Sequence, residues 1–353
     1  MGKTNIRIKD IAEKAGVSTG TVDRVLHKRG RVSPVAEKKV LEVIEALNYQ
    51  PNFIARALGA NKNYTLAVLM PDPALDPYWS APQKGLEAAA ADYNSHGITI
   101  EKFIYNQNEV QSFADTSERI FSKKFDGVIV APLFFQQYLP FAKKCGEENL
   151  PLVLFNTNIK EVPKLSFIGQ DSYQSGRLGA HLLSTGLRLD PGEILLLHLA
   201  DDLENSAHLM RKEEGFKDYF EQQEGRQRIL AVNIKSPINE NLVNHLDALL
   251  DNYQDIKAFF VTTSKAYEVA AYLEGVGLQD KLLVGFDLIE ENISYLNKGV
   301  IDFIINQNAY RQGYQSIESF VDFLVLKKEV NDLLYLPLDV ITKENVKYYL
   351  PQA

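Results

Sequence analysis

The pattern of apolar and polar positions changes texture near residue 64 of this 353-residue chain. Over the first 47 residues, apolar positions recur at helical spacing. Ile11 and Ala15 stand four apart, Val22, Val25 and Leu26 form a second stripe, and Val40, Ile44 and Leu47 a third. Three short helices are predicted there. Residues 48–63 (NYQPNFIARALGANKN) read as a linker around a short helix candidate, Gln50–Leu58. From Thr65 onward, short apolar runs alternate with amphipathic segments. The runs are Leu66–Met70, Ile98–Tyr105, Gly127–Ala131, Leu152–Phe155, Ile194–Leu197, Ile229–Ile234, Phe259–Val261, Leu282–Val284 and Phe303–Ile305. Each is too short for a helix and is bounded by Pro, Gly, Asn or Asp. Segments such as Ala81–Asn94 and Ala266–Glu274 carry helical patterns. Strand–helix alternation over so long a stretch predicts an α/β body with parallel sheets in two lobes. The expected division is 1–49, a helical headpiece; 50–63, hinge and linker; and 64–353, the two-lobed body.

The headpiece carries turn and cap chemistry at the right places. Gly16 can take the positive φ of a tight inter-helix turn. Ser18 can cap the next helix, and Ser33 with Pro34 can open the third. This is a helix-turn-helix with a supporting helix, a motif whose second helix enters the DNA major groove. Thr19, Gly20, Asp23 and Arg24 lie off the apolar stripe of that helix, and with Ser18 and Thr21 they form the candidate DNA-reading set. Arg24 is the donor for a guanine edge. Asp23 either accepts from a cytosine amino group or orients Arg24. Charge supports an anionic partner at this end. Residues 1–62 hold 12 Lys and Arg against 6 Asp and Glu, a balance of +6, although the whole chain carries −8. A basic head on an acidic body implies two separate tasks.

In open α/β sheets, ligands bind beyond the carboxyl ends of the strands. The residues just past the apolar runs include Asp76, Tyr78 and Trp79, then Pro132, Asn156, Asp171, the stretch 201–211 with His208 and Arg211, and finally Thr263, Asp287 and Gln307. Neutral amides, hydroxyls, single carboxylates and two aromatics suit a polyol. Carboxylates and amides bind hydroxyls, and aromatic faces cover C–H surfaces.

Residues 6–58, with IKDIAEKAGVSTGTVDRVL followed by VSPVAEKKVLEVIEALNYQPNFIARAL, resemble the headpiece of the lactose-repressor (LacI) family of bacterial regulators. The body resembles the type I periplasmic sugar-binding fold of that family, most visibly in QDSYQSGRLG (170–179), Gly285-Phe-Asp287 and QNAYRQG (307–313). The resemblance implies a dimeric, sequence-specific repressor of carbohydrate-use genes, controlled by a small sugar in the interlobe cleft. It implies that Leu58 wedges into the minor groove, with Asn52 and Ala55 facing that groove, and that Asp171 and Asp287 bind effector hydroxyls. The basic residue before Gly215-Phe216 is either Arg211 or Lys212, with Arg211 preferred. Two departures stand out. Asp23 occupies a position more often Ser, and Thr19 and Gly20 are small where relatives carry long base readers.

Other chemistry finds no support in the sequence. Apolar residues are 45% and charged residues 24%, an ordinary globular balance, and no apolar run reaches the length of a membrane span. The start, MGKTNIR, has no apolar signal core, so a cytoplasmic location is expected. The single cysteine, Cys145, has no base nearby in sequence and reads as structural. No phosphate-binding glycine loop, paired-cysteine metal site or nucleophile elbow is present, so neither a cofactor nor an enzyme is expected. The alternatives are a sugar or solute receptor without a DNA role, and a regulator of the same class that answers to a nucleobase or phosphosugar.

Overall fold

The computed structural model describes residues 8–26, 32–47, 62–187, 192–223, 227–235 and 239–350. Two compact units divide the chain, residues 1–60 and 61–353.

In the first unit, α1 (Ile8–Ala15), α2 (Thr19–Leu26) and α3 (Pro34–Ala46) enclose a small core. Ile11, Ala12, Ala15, Val22, Val25 and Val40 are buried in it, so the three apolar stripes converge. Gly16 turns the chain between α1 and α2 at φ +66°. Ser18 Oγ accepts from the Thr21 amide at 3.2 Å, and Ser33 caps α3 through the Ala36 amide at 3.3 Å, with Pro34 in the first turn.

The second unit contains two six-stranded sheets. The first is ordered β11-β5-β4-β3-β1-β2, from β1 (Tyr64–Pro71), β2 (Ile98–Tyr105), β3 (Gly127–Val130), β4 (Leu152–Phe155), β5 (Ser166–Gly169) and β11 (Leu333–Tyr335). All its pairings are parallel. The second is ordered β12-β10-β9-β8-β6-β7, from β6 (Glu193–His198), β7 (Arg228–Asn233), β8 (Ile256–Val261), β9 (Leu282–Phe286), β10 (Phe303–Asn306) and β12 (Asp339–Ile341). Among the described residues, only β12 runs antiparallel in it. All nine apolar runs are strands. The strands outside those runs are β5, β11 and β12, each only three or four residues long.

Side-chain alternation explains why the inner strands are apolar throughout. In β1, Leu66, Val68 and Met70 enter one core while Ala67 and Leu69 enter another on the opposite face. In β6, Leu195 and Leu197 face one way, Ile194 and Leu196 the other. A strand buried on both sides has no polar face to show. Helices cover the faces: α4 (Ser80–Asp92), α5 (Val110–Ile120), α6 (Phe135–Glu147), α7 (Ser172–Leu187), α8 (Ala207–Gln222), α9 (Asn239–Asn252), α10 (Ala266–Val276), α11 (Glu290–Lys298) and α12 (Ala309–Phe320). The chain crosses between the lobes three times, after β5, after β10 and between β11 and β12.

Two helix pairs touch backbone to backbone through glycine. A Cβ on Gly85 of α4 would strike the Tyr310 carbonyl of α12, and one on Gly313 the Pro82 carbonyl of α4. In the second lobe, a Cβ on Gly176 of α7 would strike the Lys212 carbonyl of α8, and one on Gly215 the Tyr173 carbonyl. Backbone cannot yield as a flexible side chain can, so overpacking here is costly. Gly176→Ala is expected to lower unfolding free energy by about 1–3 kcal/mol in urea titrations; an unchanged midpoint would refute the close crossing.

Candidate functional site: the interlobe cleft and the headpiece surface

The carboxyl ends of both sheets face a cavity of about 180 Å³ between the lobes. Its first wall comes from the turn after β1. Asp76 caps this single 3-10 turn, accepting from the Tyr78 amide at 3.0 Å. The cap fixes Tyr78 and Trp79, which meet edge to face at 4.8 Å. Gln107, beyond β2, accepts from Trp79 Nε1 at 2.8 Å. Asn156, at the end of β4, donates through Nδ2 to the Tyr78 hydroxyl at 2.7 Å. Its backbone sits at φ +67°, a left-handed conformation that Asn tolerates better than most residues. Burial, with Asp287 and Asp76 nearby, holds the Tyr78 hydroxyl protonated, well above its ordinary range.

The opposite wall is built around Asp287. It follows β9 at φ +72° and is 4% exposed. The Asn292 amide clamps the turn, donating to the carbonyls of Ser264 and Phe286 at 2.8 Å and of Asp287 at 3.1 Å. Gln307 Nε2 donates to Asp287 Oδ2 at 2.9 Å, and Gln170 Nε2 donates in turn to Gln307 Oε1. Lys212 is 2% exposed. Its ammonium donates to the Thr262 carbonyl at 2.7 Å and lies 3.5 Å from the Phe286 ring centre. Burial pushes the Asp287 carboxyl up and the Lys212 ammonium down, and the opposite charge of each limits the shift of the other. Behind this wall, buried His198 contacts Thr262 Oγ1 at 2.8 Å and Glu213 at 2.7 Å.

Among the described residues, three polar atoms of the cavity-lining set are buried without a hydrogen-bond partner: Asp287 Oδ1, Gln170 Oε1 and His208 Nδ1. Unpaired buried acceptors cost free energy unless a bound molecule completes them. Carboxylate, amide and imidazole together with an aromatic wall fit hydroxyl donors on a small apolar-faced ring.

Of the residues expected from sequence, Asp76, Tyr78, Trp79, Asn156, His208, Thr263, Asp287 and Gln307 line the cavity. Pro132, Asp171 and Arg211 do not. Pro132 only leads the chain to Leu133 and Phe134, which line it instead. The Asp171 carboxylate turns back on its own helix, accepting from the amides of Tyr173 at 3.1 Å and Gln174 at 3.2 Å. The preceding Gln170 lines the cavity instead. Arg211 is half exposed, pairs with Glu214 and stacks 5.0 Å from the Tyr173 ring centre. Of the two basic residues the sequence left open, Lys212 lines the cleft and Arg211 does not. The signal was present: His208 and Lys212 stand four apart on one face of α8, and Arg211 is a further 100° round. Gln107, Gln170 and Thr262 were also missed, as polar residues that mix with turn chemistry at strand ends.

On the headpiece, Ser18, Thr19, Gly20, Asp23 and Arg24 are exposed along one side of α2. Thr21 is half-buried, and its hydroxyl bonds that of Ser18 at 2.9 Å, so this pair builds the turn. Arg24 Nε donates to the Gly20 carbonyl at 3.1 Å. Asn52, Ala55 and Leu58 lie outside the described residues. Among the described residues, no group of three His, Cys, Asp or Glu is placed to hold a metal ion, and no helix is long and apolar enough to cross a membrane. Cys145 is buried, and burial pushes its thiol up to about 12.

Burial, then the charges of Lys212 and His198, pull the His208 imidazole down to about 3. Between pH 6.5 and 3 the unfolded chain holds a proton on this residue that the folded chain lacks. Stability therefore falls as pH falls through this window, by at most about 1.4 kcal/mol per pH unit from His208. Urea midpoints at pH 7, 6 and 5 are expected to fall less steeply in His208→Gln than in the parent; parallel declines would contradict the assignment.

Comparison with known proteins agrees with both units. Residues 7–52 match the family of bacterial regulatory proteins of the lacI type, and residues 66–328 match a periplasmic binding protein domain. The chain is 28% identical over 285 residues to a ribose operon repressor of Halalkalibacterium halodurans, spanning 79% of this chain and 80% of the relative. A solved chain from Bacteroides fragilis, assigned to the LacI transcriptional regulators, superposes with a TM-score of 0.77 at 32% identity, covering 82% of this chain and all of that one. A glucose-galactose binding protein from Geobacillus stearothermophilus superposes with a TM-score of 0.72 at 25% identity, covering 81% and 99%. A helix-turn-helix of this type, in sequence continuity with a two-lobed binding body, makes the chain a member of the LacI family of bacterial regulatory proteins.

Proposed function

We propose that the chain is a cytoplasmic, dimeric repressor of carbohydrate-use genes whose operator affinity is set by one monosaccharide in the interlobe cleft. The headpiece, 1–49, reads the operator; 50–63 acts as hinge and linker; 64–353 binds the effector and pairs two copies. The observation that carries this reading is a small cavity whose lining brings Asp76, Asn156, Gln170, His208, Asp287 and Gln307 together, with Tyr78 and Trp79 in its wall. The carboxylates and amide oxygens of that lining accept from hydroxyl donors, and the aromatic pair offers a face for ring C–H groups. A cavity of about 180 Å³ lies below the usual range for drug-sized ligands, which favours a single sugar ring. Lining carboxylates at Asp76, Asp201, Asp202 and Asp287 outnumber the ammonium groups of Lys212 and Lys265, so a neutral sugar is favoured over a phosphosugar. The relatives named for ribose regulation and glucose-galactose binding support the same class of ligand.

The DNA-bound unit is a dimer in this reading because a helix-turn-helix pair meets a two-fold operator. Sugar occupancy changes the lobe arrangement, and a coupling of about 1–3 kcal/mol would alter operator affinity roughly 5- to 150-fold.

A panel of neutral sugars tests the ligand. One or more monosaccharides are expected to raise the melting temperature and to change operator affinity in the range above, because a ligand that binds only the folded state stabilises it. A response to disaccharides or sugar phosphates alone would overturn the assignment. The DNA surface is tested by Arg24→Ala, which is expected to weaken specific operator binding about 5- to 150-fold, as for one lost bidentate base contact, with the sugar-induced melting shift retained. Undiminished operator affinity in a gel-shift titration would remove Arg24 from the reading surface.

A further inference from the structure

The first turn of α6 belongs to the first lobe, yet its cap comes from the second. Phe134 occupies the N-cap position and has no side-chain acceptor to offer. The loop after β6 reaches across the mouth of the cleft instead. Asn205 Oδ1 accepts from the Gln136 amide at 3.0 Å, and the Asn205 carbonyl accepts from the Phe135 amide at 3.4 Å. Asn205 Nδ2 donates to Gln137 Oε1 at 3.1 Å. Asn205 is only 5% exposed, and its loop is shaped for the task. The Asp202 carboxylate accepts from the Asn205 amide at 3.2 Å, and the Asp202 carbonyl accepts from Ser206 Oγ at 2.8 Å. On either side of these contacts, Phe134 and Ser206 line the cavity.

We propose that Asn205 is an interlobe latch: it caps helix α6 from the opposite lobe and thereby holds the cleft closed. A helix N-terminus leaves amides that need acceptors, and Asn is among the best residues to supply one. Here the acceptor is present only while the lobes are together. Separating the lobes uncaps α6 and exposes the buried amide of Asn205, so closure gains from the latch with or without a ligand. A contact made in one state alone shifts the population toward that state. The latch sits on the rim of the cavity, so whatever occupies the cleft starts from an equilibrium already biased by Asn205.

Hydrogen exchange on the full-length protein without any sugar tests this, and the result does not depend on what the cleft binds. In Asn205→Ala, exchange of the Phe135, Gln136 and Gln137 amides is expected to rise roughly 2- to 30-fold, the equilibrium factor that goes with loss of one helix cap. Asn205→Asp keeps the acceptor and adds charge favoured at a helix N-terminus, so it should preserve protection of the same amides. Small-angle scattering should show a larger radius of gyration for the alanine variant and the parental value for the aspartate variant. If Asn205 merely shapes its own loop, exchange in the alanine variant will rise over residues 199–206 while the first turn of α6 keeps its parental rate, and the proposal fails. It also fails if both variants lose protection equally.

Discussion

Burial of both faces of each parallel sheet confines the polar chemistry of the body to the strand ends. The inner strands carry apolar side chains on both sides and supply backbone hydrogen bonds to their neighbours. Polar residues therefore enter where the strands stop. Two sheets with their carboxyl ends turned toward one cavity place Asp76, Asn156, Thr262, Asp287 and Gln307 together, although they are far apart in sequence. Two of the left-handed residues, Asn156 and Asp287, occupy corresponding places in the two lobes, at the ends of β4 and β9. Both conformations are uncommon for residues with a side chain, and at Asp287 the Asn292 amide holds the turn with three hydrogen bonds.

The cleft carries a charge pair that its surroundings only partly repay. Asp287 and Lys212 are almost wholly enclosed, and desolvation penalises each. Gln307, the Thr262 carbonyl and the Phe286 ring offset some of that cost. Asp287 Oδ1 remains a buried acceptor without a hydrogen-bond partner. The backbone contact of α7 with α8 at Gly176 sets where Lys212 stands, which ties helix packing directly to the electrostatics of the cavity.

The headpiece obeys a different economy. Among the described residues its core is six buried side chains with a ring of half-buried neighbours, and turn and cap chemistry at Gly16, Ser18 and Ser33 does much of the shaping. That leaves one side of α2 free of packing duties, and Thr19, Asp23 and Arg24 present it to solvent. The acidic body and the basic head thus divide ligand recognition from DNA recognition along the chain.

Local spacing was enough to reveal what depends on neighbours in sequence. The three helical stripes, the Gly16 turn, the Ser33 cap and the nine apolar runs are all periodic or short-range signals, and so is the presence of polar residues just past each strand. Which of two adjacent residues faces the cavity is a question of orientation, and there tertiary structure decided. Asp171 caps the start of α7, and Gln170 is the residue that lines the cleft. Arg211 found Glu214 and the Tyr173 ring outside, so Lys212 was the residue buried. The bridge from Asn205 to α6 lay beyond any reading of the chain alone, because it joins residues some seventy positions apart through backbone amides that exist as free donors only once a helix has formed.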